Sequence, residues 1–205
     1  MMPREKREWY PGACYHVMGR GNRHCAIFNE KDDYFLFMKL LDSVQTRYPF
    51  TVHAYCLMTN HFHIELTTQS DPIWKIMQPI MNHYARTFNQ KYGHDGHLFD
   101  SRYASGLIED DVYFLEVSRY IHLNPVKAKM VREPLEYEYS SYKDYIGEND
   151  GKEKRKIVDT SRALSCFCTN PKEQYRMFVE GKISHEEQEL LIQKDMKEDE
   201  MWLPW

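Results

Sequence analysis

Residues 61–66 alternate between polar and apolar side chains, and this alternation is the strongest constraint on how the chain can fold. In a β-strand, successive side chains point to opposite faces of the sheet. Three polar residues would then share one face: His61, His63 and Glu65. Two imidazoles and a carboxylate on one face of a rigid strand, whose other face is apolar, favour a metal site. The alternative is an ordinary strand with partly exposed polar residues, because such short motifs often occur without a site.

A second stretch, residues 113–126, places a tyrosine near the end of a helix. Tyr120 and Asn124 are four residues apart and would lie on one helical face. Pro125 disfavours the α conformation of Asn124, so we expect one helix to end near Asn124. A second short helix would begin at Pro125, with Asn124 as its cap. A tyrosine beside an amide at a helix end is then in position to face the histidine strand.

Four segments of the chain resemble the single-tyrosine HUH transposases, which are also called IS200-like. HUH stands for His, a bulky apolar residue and His, which here are His61, Phe62 and His63. The resemblance covers roughly residues 10–146 and is greatest to the branch associated with repetitive extragenic palindromes (REP) in bacteria. The matching segments, in order, are residues 15–22, 53–66, 96–103 and 118–128.

The resemblance implies a metal-dependent enzyme that cleaves and rejoins single-stranded DNA with a hairpin or palindromic sequence. Tyr120 would attack phosphorus to form a 5′-phosphotyrosine, and His61, His63 and Asn124 would hold Mg²⁺ or Mn²⁺. The family commonly has Gln as its third ligand, and Asn takes that place in the REP-associated branch. Glu65 is an alternative ligand on the same strand face. Members of the family act as monomers or as homodimers, so both states are open.

Two other functions are compatible with parts of this pattern. A DNA-binding protein with the same fold but without cleavage activity could regulate repetitive elements. A metal hydrolase of small molecules would leave the spacing of Tyr120 and Asn124 unexplained. Because every residue that the cleavage chemistry requires is present, the sequence favours the enzyme.

The charge of the chain restricts where DNA can bind. A net charge of −4 is unfavourable for a nucleic-acid partner, so the contacts must come from local basic clusters. The alternative for any one basic residue is a solvated surface position. We expect DNA contacts from basic residues near the start of the chain and around the proposed site: Arg4, Lys6, Arg7, Arg20, Arg23, Arg102, Arg119 and Lys127.

The order of the predicted elements indicates an α+β, ferredoxin-like βαββαβ fold, with an antiparallel sheet and helices on one face. The family resemblance implies the same fold. Helices are expected after caps at Asn29 and Asp71, and the second helix should kink at Pro79. The tyrosine helix should be capped by Asp110 or Asp111. Strands are expected over residues 13–19, 50–58, 61–67 and 98–108.

The composition changes after residue 147. We therefore divide the chain into a transposase domain, residues 1–147, and a C-terminal extension, residues 148–205, that begins with a charged linker. Short helices are expected near residues 160–168 and 171–180. No apolar run approaches the ~20 residues of a membrane span, and no secretory leader is visible. The 5 cysteines follow no disulfide or zinc pattern, and we expect a cytoplasmic protein without a membrane partner.

Overall fold

The computed structural model of the protein describes residues 8–148 and 157–181. Its strands are β1 (Cys14–Arg20), β2 (Phe50–Leu57), β3 (His61–Thr68) and β4 (Ala104–Ile108). They form a four-stranded sheet in the order β2-β3-β1-β4, and every neighbouring pair is antiparallel. This order is that of a ferredoxin-like sheet, which confirms the predicted fold class.

Helices cover both faces of this sheet. The helices α1 (Lys31–Arg47) and α2 (Ile73–Tyr92) pack on one face, as the predicted plan requires. The helix α3 (Asp111–Lys127) crosses β2 and β3 on the other face. The remaining short α-helices of the described residues are α4 (Tyr142–Ile146), α5 (Ser161–Ser165) and α6 (Pro171–Glu180).

Local sequence signals account for most helix ends. The predicted cap of α1 at Asn29 is one residue early, because Glu30 and Asp33 form a capping box at its start. The helix α2 passes through Pro79 and ends at Gly93, whose positive φ of 60° suits a glycine. Asp110 caps α3 by accepting a hydrogen bond from the backbone of Tyr113 at 2.8 Å.

The apolar residues of β3 pack against α1 and α2, as the alternation predicts. Phe62, Ile64 and Leu66 are completely buried, and the ring of Phe62 lies 4.9 Å from that of Phe37 in α1. The ring of Phe62 rests on Gly19 of β1, where an added Cβ would lie 2.5 Å from it. The core therefore fixes β3 so that its polar residues face α3.

The expected break at Asn124 is wrong, because α3 runs through Pro125 and ends at Lys127. Pro125 lacks the backbone donor that would bond to the carbonyl of Ile121, so this turn has one backbone hydrogen bond fewer, but the helix continues. The buried side chain of Asn124 also donates to the carbonyl of Tyr120 at 2.9 Å, which adds a hydrogen bond to this turn. Tyr120 therefore lies within a continuous helix rather than at its end.

The last strand is shorter than predicted. Strand β4 begins only at Ala104, and residues 98–103 pass along the end of β1 instead. The backbone of Asn22 donates to Leu98 at 2.8 Å, and the backbone of Asp100 donates to Arg20 at 3.0 Å. These contacts replace the ladder that an extended strand would form.

The described part of the C-terminal extension, residues 157–181, packs on the same face as α3. Val158 forms a bridge to Val52 of β2, and α6 contacts α3 and α4. Tyr175 of α6 is completely buried and bonds to His122 of α3. The predicted second helix of the extension agrees with α6, whereas most of the predicted linker lies outside the described residues.

Candidate active site

The two histidines of the His-Phe-His motif lie on β3, a central strand of the sheet, and face α3. His63 is buried, and His61 is half-buried at the start of the strand. Their ring centres are 5.0 Å apart and the rings are nearly perpendicular, at 88°. The strand therefore holds the predicted imidazole pair together on one surface.

Hydrogen bonds show which ring nitrogens are available to a ligand. The Nδ1 atom of His61 is 2.7 Å from Oδ1 of Asn60, and Nδ1 of His63 is 3.0 Å from Nε2 of His16. An amide oxygen only accepts, so Nδ1 of His61 carries the proton and its Nε2 has a free lone pair. In both histidines Nδ1 is engaged by the protein, so Nε2 is the atom that could bind a metal.

Burial keeps these imidazoles neutral. It lowers the pKa of His16 to about 4, and it lowers the pKa of His63 well below the usual range. Burial, with the positive charge of Arg20 as a smaller cause, lowers the pKa of His61 to about 4. Because a metal binds only the neutral imidazole, this environment suits a metal site at neutral pH.

Tyr120 is brought directly to His63 of the motif and to His16 of β1. Its half-buried ring lies edge-on to His63, with ring centres 5.4 Å apart, and to His16, with ring centres 5.9 Å apart. The Nζ atom of Lys127, two helical turns further along α3, is 4.5 Å from the centre of the tyrosine ring. A phenol, two neutral imidazoles and an ammonium group thus meet between α3 and β3.

Asn124 is the predicted third ligand, and it lies one turn after Tyr120. Its side-chain nitrogen donates to the carbonyl of Tyr120, so its oxygen is the atom that could bind a metal. Asn124 is buried on α3, the helix that faces the histidines. The donor atoms of His61, His63 and Asn124 would be two nitrogen atoms and one oxygen atom, a set that suits a divalent ion with further ligands from water or phosphate.

Glu65 does not fit the role of alternative ligand. Among residues 8–148 and 157–181, no three His, Cys, Asp or Glu side chains come together as a metal site. Glu65 is completely buried further along β3, and burial raises the pKa of its carboxyl well above the usual range. His61, His63 and Glu65 are therefore not assembled as a ligand set, and Asn124 stays the predicted third ligand.

Two of the predicted DNA-binding residues lie at the site. Arg20 ends β1 opposite His61 in the strand register and forms an ion pair with Asp100 at 3.0 Å. Lys127 covers Tyr120, as described above. Both can place positive charge near a phosphate bound at the histidines.

The other predicted basic residues are not brought together there. Arg23 is exposed in the turn after β1, and Arg102 is exposed in a groove of about 500 Å³ between α2 and residues 96–103. Arg119 was wrongly assigned to the DNA surface, because α6 covers it and its guanidinium donates to the carbonyl of Gly181 at 2.8 Å. The remaining members of the set lie outside the described residues: Arg4, Lys6 and Arg7.

Sequence reasoning missed the contacts of His16, Asn60 and Lys127 at the site. Asn60 directly precedes the motif, and Lys127 is seven residues after Tyr120 on one helical face, so both could have been found from spacing. His16 carries no such local signal. It reaches His63 only because β1 pairs with β3.

A ferredoxin-like sheet with a central His-Phe-His strand, facing a tyrosine on a covering helix, is the arrangement implied by the resemblance to HUH transposases. The family model described as "Transposase IS200 like" matches residues 10–124. The chain therefore belongs to the IS200-like transposase family, which assigns it a transposase role.

Two solved structures are similar to this chain. A REP-associated tyrosine transposase bound to a REP hairpin is 17% identical, with a TM-score of 0.59, and the match covers 78% of this chain and 90% of that chain. A candidate transposase from Deinococcus radiodurans R1 is 16% identical, with a TM-score of 0.41 and coverage of 58% of this chain and 95% of that chain. The likeness to the REP-associated transposase supports the fold described above.

None of the curated proteins is similar enough to match this chain. Within the part of the chain that the structure describes, no helix combines the length and apolar character needed to cross a bilayer.

Proposed function

We propose that this protein cleaves and rejoins single-stranded DNA of hairpin character through a covalent 5′-phosphotyrosine at Tyr120, with the help of a divalent metal. One observation carries the proposal. The ring of Tyr120 lies 5.4 Å from that of His63 while the ammonium group of Lys127 lies over it. A structural tyrosine needs neither neighbour, whereas a nucleophile that attacks a phosphodiester is helped by a nearby ammonium group and by an imidazole that can hold a metal.

The metal would be held by Nε2 of His61, Nε2 of His63 and the amide oxygen of Asn124. When bound, Mg²⁺ or Mn²⁺ polarises the phosphate oxygens and stabilises the charge that develops on them. Imidazole nitrogens favour Mn²⁺ over Mg²⁺, and oxygen ligands suit both ions, so Mn²⁺ fits this mixed set best. Both histidines are neutral, and neutral imidazole is the form that binds a metal.

The covalent step conserves atoms and charge. The phenol oxygen of Tyr120 forms a bond to phosphorus, the bond from phosphorus to the 3′ oxygen breaks, and the phenol proton is transferred to that leaving oxygen. The products are a 5′-phosphotyrosine and a free 3′-OH. A second 3′-OH can reverse the step without ATP, because the phosphotyrosine keeps the energy of the ester bond.

Lys127 supports this chemistry from the same helix. A phenol is a weak nucleophile when protonated, with an ordinary pKa of about 10. An ammonium group at the ring stabilises negative charge as the oxygen attacks, and it also attracts the phosphate.

The shape of the site supports single-stranded DNA as the substrate. Tyr120 is half-buried between α3 and the sheet, so a phosphate can reach it only if the neighbouring bases are turned aside. A duplex holds its bases stacked, and unstacking them costs a few kcal/mol per step. The structural neighbour bound to a REP hairpin makes hairpin DNA the first substrate to test.

The proposal can be tested with synthetic hairpins taken from the flanks of the gene, incubated with Mn²⁺ or Mg²⁺. We expect a protein–DNA adduct on denaturing gels that disappears with a chelator and in Tyr120→Phe. Tyr113→Phe is the matched control, because Tyr113 lies on the same helix and should leave the adduct intact.

An adduct in Tyr120→Phe would assign the nucleophile elsewhere, and full activity with a strong chelator would exclude the metal. Hairpin binding by the wild-type protein without any adduct would favour the cleavage-inactive regulator. Equal cutting of the blunt duplex would indicate another kind of nuclease. The cytoplasmic location and the choice between monomer and homodimer stay predictions.

A further inference from the structure

His16 contacts the motif from the neighbouring strand without being a candidate ligand. Its Nε2 atom is 3.0 Å from Nδ1 of His63, and the two rings stack with centres 5.1 Å apart at 26°. Both side chains are 1% exposed. The contact is therefore fixed by the sheet, and solvent does not compete for it.

One proton lies between these two nitrogen atoms, and its position decides whether His63 can bind a metal. If Nε2 of His16 donates, the neutral His63 carries its own proton on Nε2 and has no lone pair there. If Nδ1 of His63 donates, its Nε2 is free to bind the metal. Ligation of a metal by His63 therefore requires that His16 accept this hydrogen bond.

We propose that His16 is a positioning residue that holds His63 in the tautomer able to bind the metal. The inference rests on the proposed metal-dependent function and adds a residue outside the ligand set. Ligating histidines usually donate their second nitrogen to a carboxylate, a carbonyl or water, and here a neighbouring imidazole takes that place.

The surroundings of His16 are compatible with the tautomer that this role requires. When its Nε2 accepts, the proton of His16 lies on Nδ1, which has no hydrogen-bond partner in the structure. Glu65 lies directly opposite His16 in the strand register, and neither of its carboxyl oxygens has a partner. Residues directly opposite in a sheet point to the same face with Cβ atoms about 5 Å apart, so a second buried polar group without a partner lies beside His16.

The other histidine of the motif has a matching arrangement. Oδ1 of Asn60 can only accept, so it selects the Nδ1–H tautomer of His61 without an alternative. His63 has an imidazole in the same place, and an imidazole can either donate or accept. Asn60 thus fixes a single tautomer of His61. The tautomer of His63, by contrast, is decided by whether His16 donates or accepts.

Variants of His16 separate its role as an acceptor from its role in packing. His16→Phe keeps a ring but removes the acceptor, and His16→Gln restores an oxygen that can accept. His53 provides the matched control, because it is buried in the same sheet but bonds to Thr67 at 2.8 Å instead of to His63. His53→Phe and His53→Gln therefore report the effect of changing a buried histidine alone.

The first measurement is the dissociation constant for Mn²⁺ on the full chain, from the electron paramagnetic resonance signal of the free ion. We expect His16→Phe to weaken binding about 10–100-fold, as the loss of an outer-shell partner usually does. His16→Gln should recover most of the affinity, and the His53 variants should bind like the wild type. Wild-type affinity in His16→Phe would overturn the proposal.

The second measurement needs no metal and separates this proposal from the proposed function. Nitrogen-15 NMR of the metal-free protein should show Nδ1–H at His63 in the wild type and a loss of that preference in His16→Phe. An Nε2–H tautomer at His63 in the wild type would overturn the role of His16. If the wild type shows Nδ1–H but binds no Mn²⁺, the metal step of the proposed function fails and the tautomer assignment is supported.

Discussion

The contact between the C-terminal extension and the tyrosine helix can be tested by removing one hydroxyl group, that of Tyr175. The hydroxyl is part of a chain of buried hydrogen bonds in which one donor can be assigned to each bond. Ser118 donates to the carbonyl of Leu115 at 2.8 Å, so Tyr175 must donate to Ser118 at 3.0 Å. His122 then donates from Nδ1 to Tyr175 at 2.8 Å and accepts at Nε2 from Ser141 at 2.8 Å.

Tyr175→Phe keeps the ring and leaves no cavity, but it interrupts this chain. Nδ1–H of His122 loses its acceptor, and Ser118 loses its donor. A buried polar group left without a partner costs about 1–3 kcal/mol, so we expect the free energy of unfolding to fall by that amount. In a chain of this size the melting temperature should fall by about 2–4 °C per kcal/mol.

The assay is urea unfolding followed by circular dichroism, with Tyr10→Phe as the control. Tyr10 is 48% exposed, and its variant should stay within about 0.5 kcal/mol of the wild type. A Tyr175→Phe protein as stable as this control would refute the argument. It would show that the hydrogen bonds of the Tyr175 hydroxyl to α3 do not stabilise the protein.

Three further predictions concern the site and the extent of the catalytic unit. Lys127→Met should lower the rate of adduct formation about 10²-fold without changing the melting temperature, and an unchanged rate would remove Lys127 from the mechanism. Asn124→Ala should weaken Mn²⁺ binding and cleavage together, whereas Asn124→Asp should retain part of both, because a carboxylate oxygen still binds the metal. If both variants match the wild type, Asn124 is not a metal ligand and serves only to stabilise its helix. A chain ending at Gly181 should melt and cleave like the full chain, whereas one ending at Gly147 should melt lower because it lacks α5 and α6. Loss of cleavage in a stable chain that ends at Gly181 would place an essential group beyond that residue.

The parts of the fold that depend on local pattern could be predicted from the sequence. The alternation of residues 61–66 predicts β3 and its buried face, because a strand repeats every two residues. The bounds of α6 were also predicted, since Pro171 is favoured at the first position of a helix. The four-residue spacing of Tyr120 and Asn124 correctly placed them on neighbouring turns of one helix.

The parts that depend on distant contacts could not be predicted. Arg119 looks like a surface arginine until α6 covers it and the carbonyl of Gly181, 62 residues further along the chain, accepts its hydrogen bond. His16 reaches His63 across 47 residues through the pairing of β1 with β3, and no local pattern indicates that register. The break expected at Asn124 failed for another reason, because the proline rule states a preference that a buried side-chain hydrogen bond can outweigh.

The close packing of Phe62 on Gly19 gives the middle residue of the His-Phe-His motif a meaning beyond its own strand. The space for its ring exists only because position 19 has no side chain, so the volume at these two positions is shared. A relative with alanine at position 19 should have a smaller residue at position 62, and the pair should change together during evolution. The bulky position of the motif thus fits a space that is bounded by β1, and the size of that space depends on a residue 43 positions earlier in the chain.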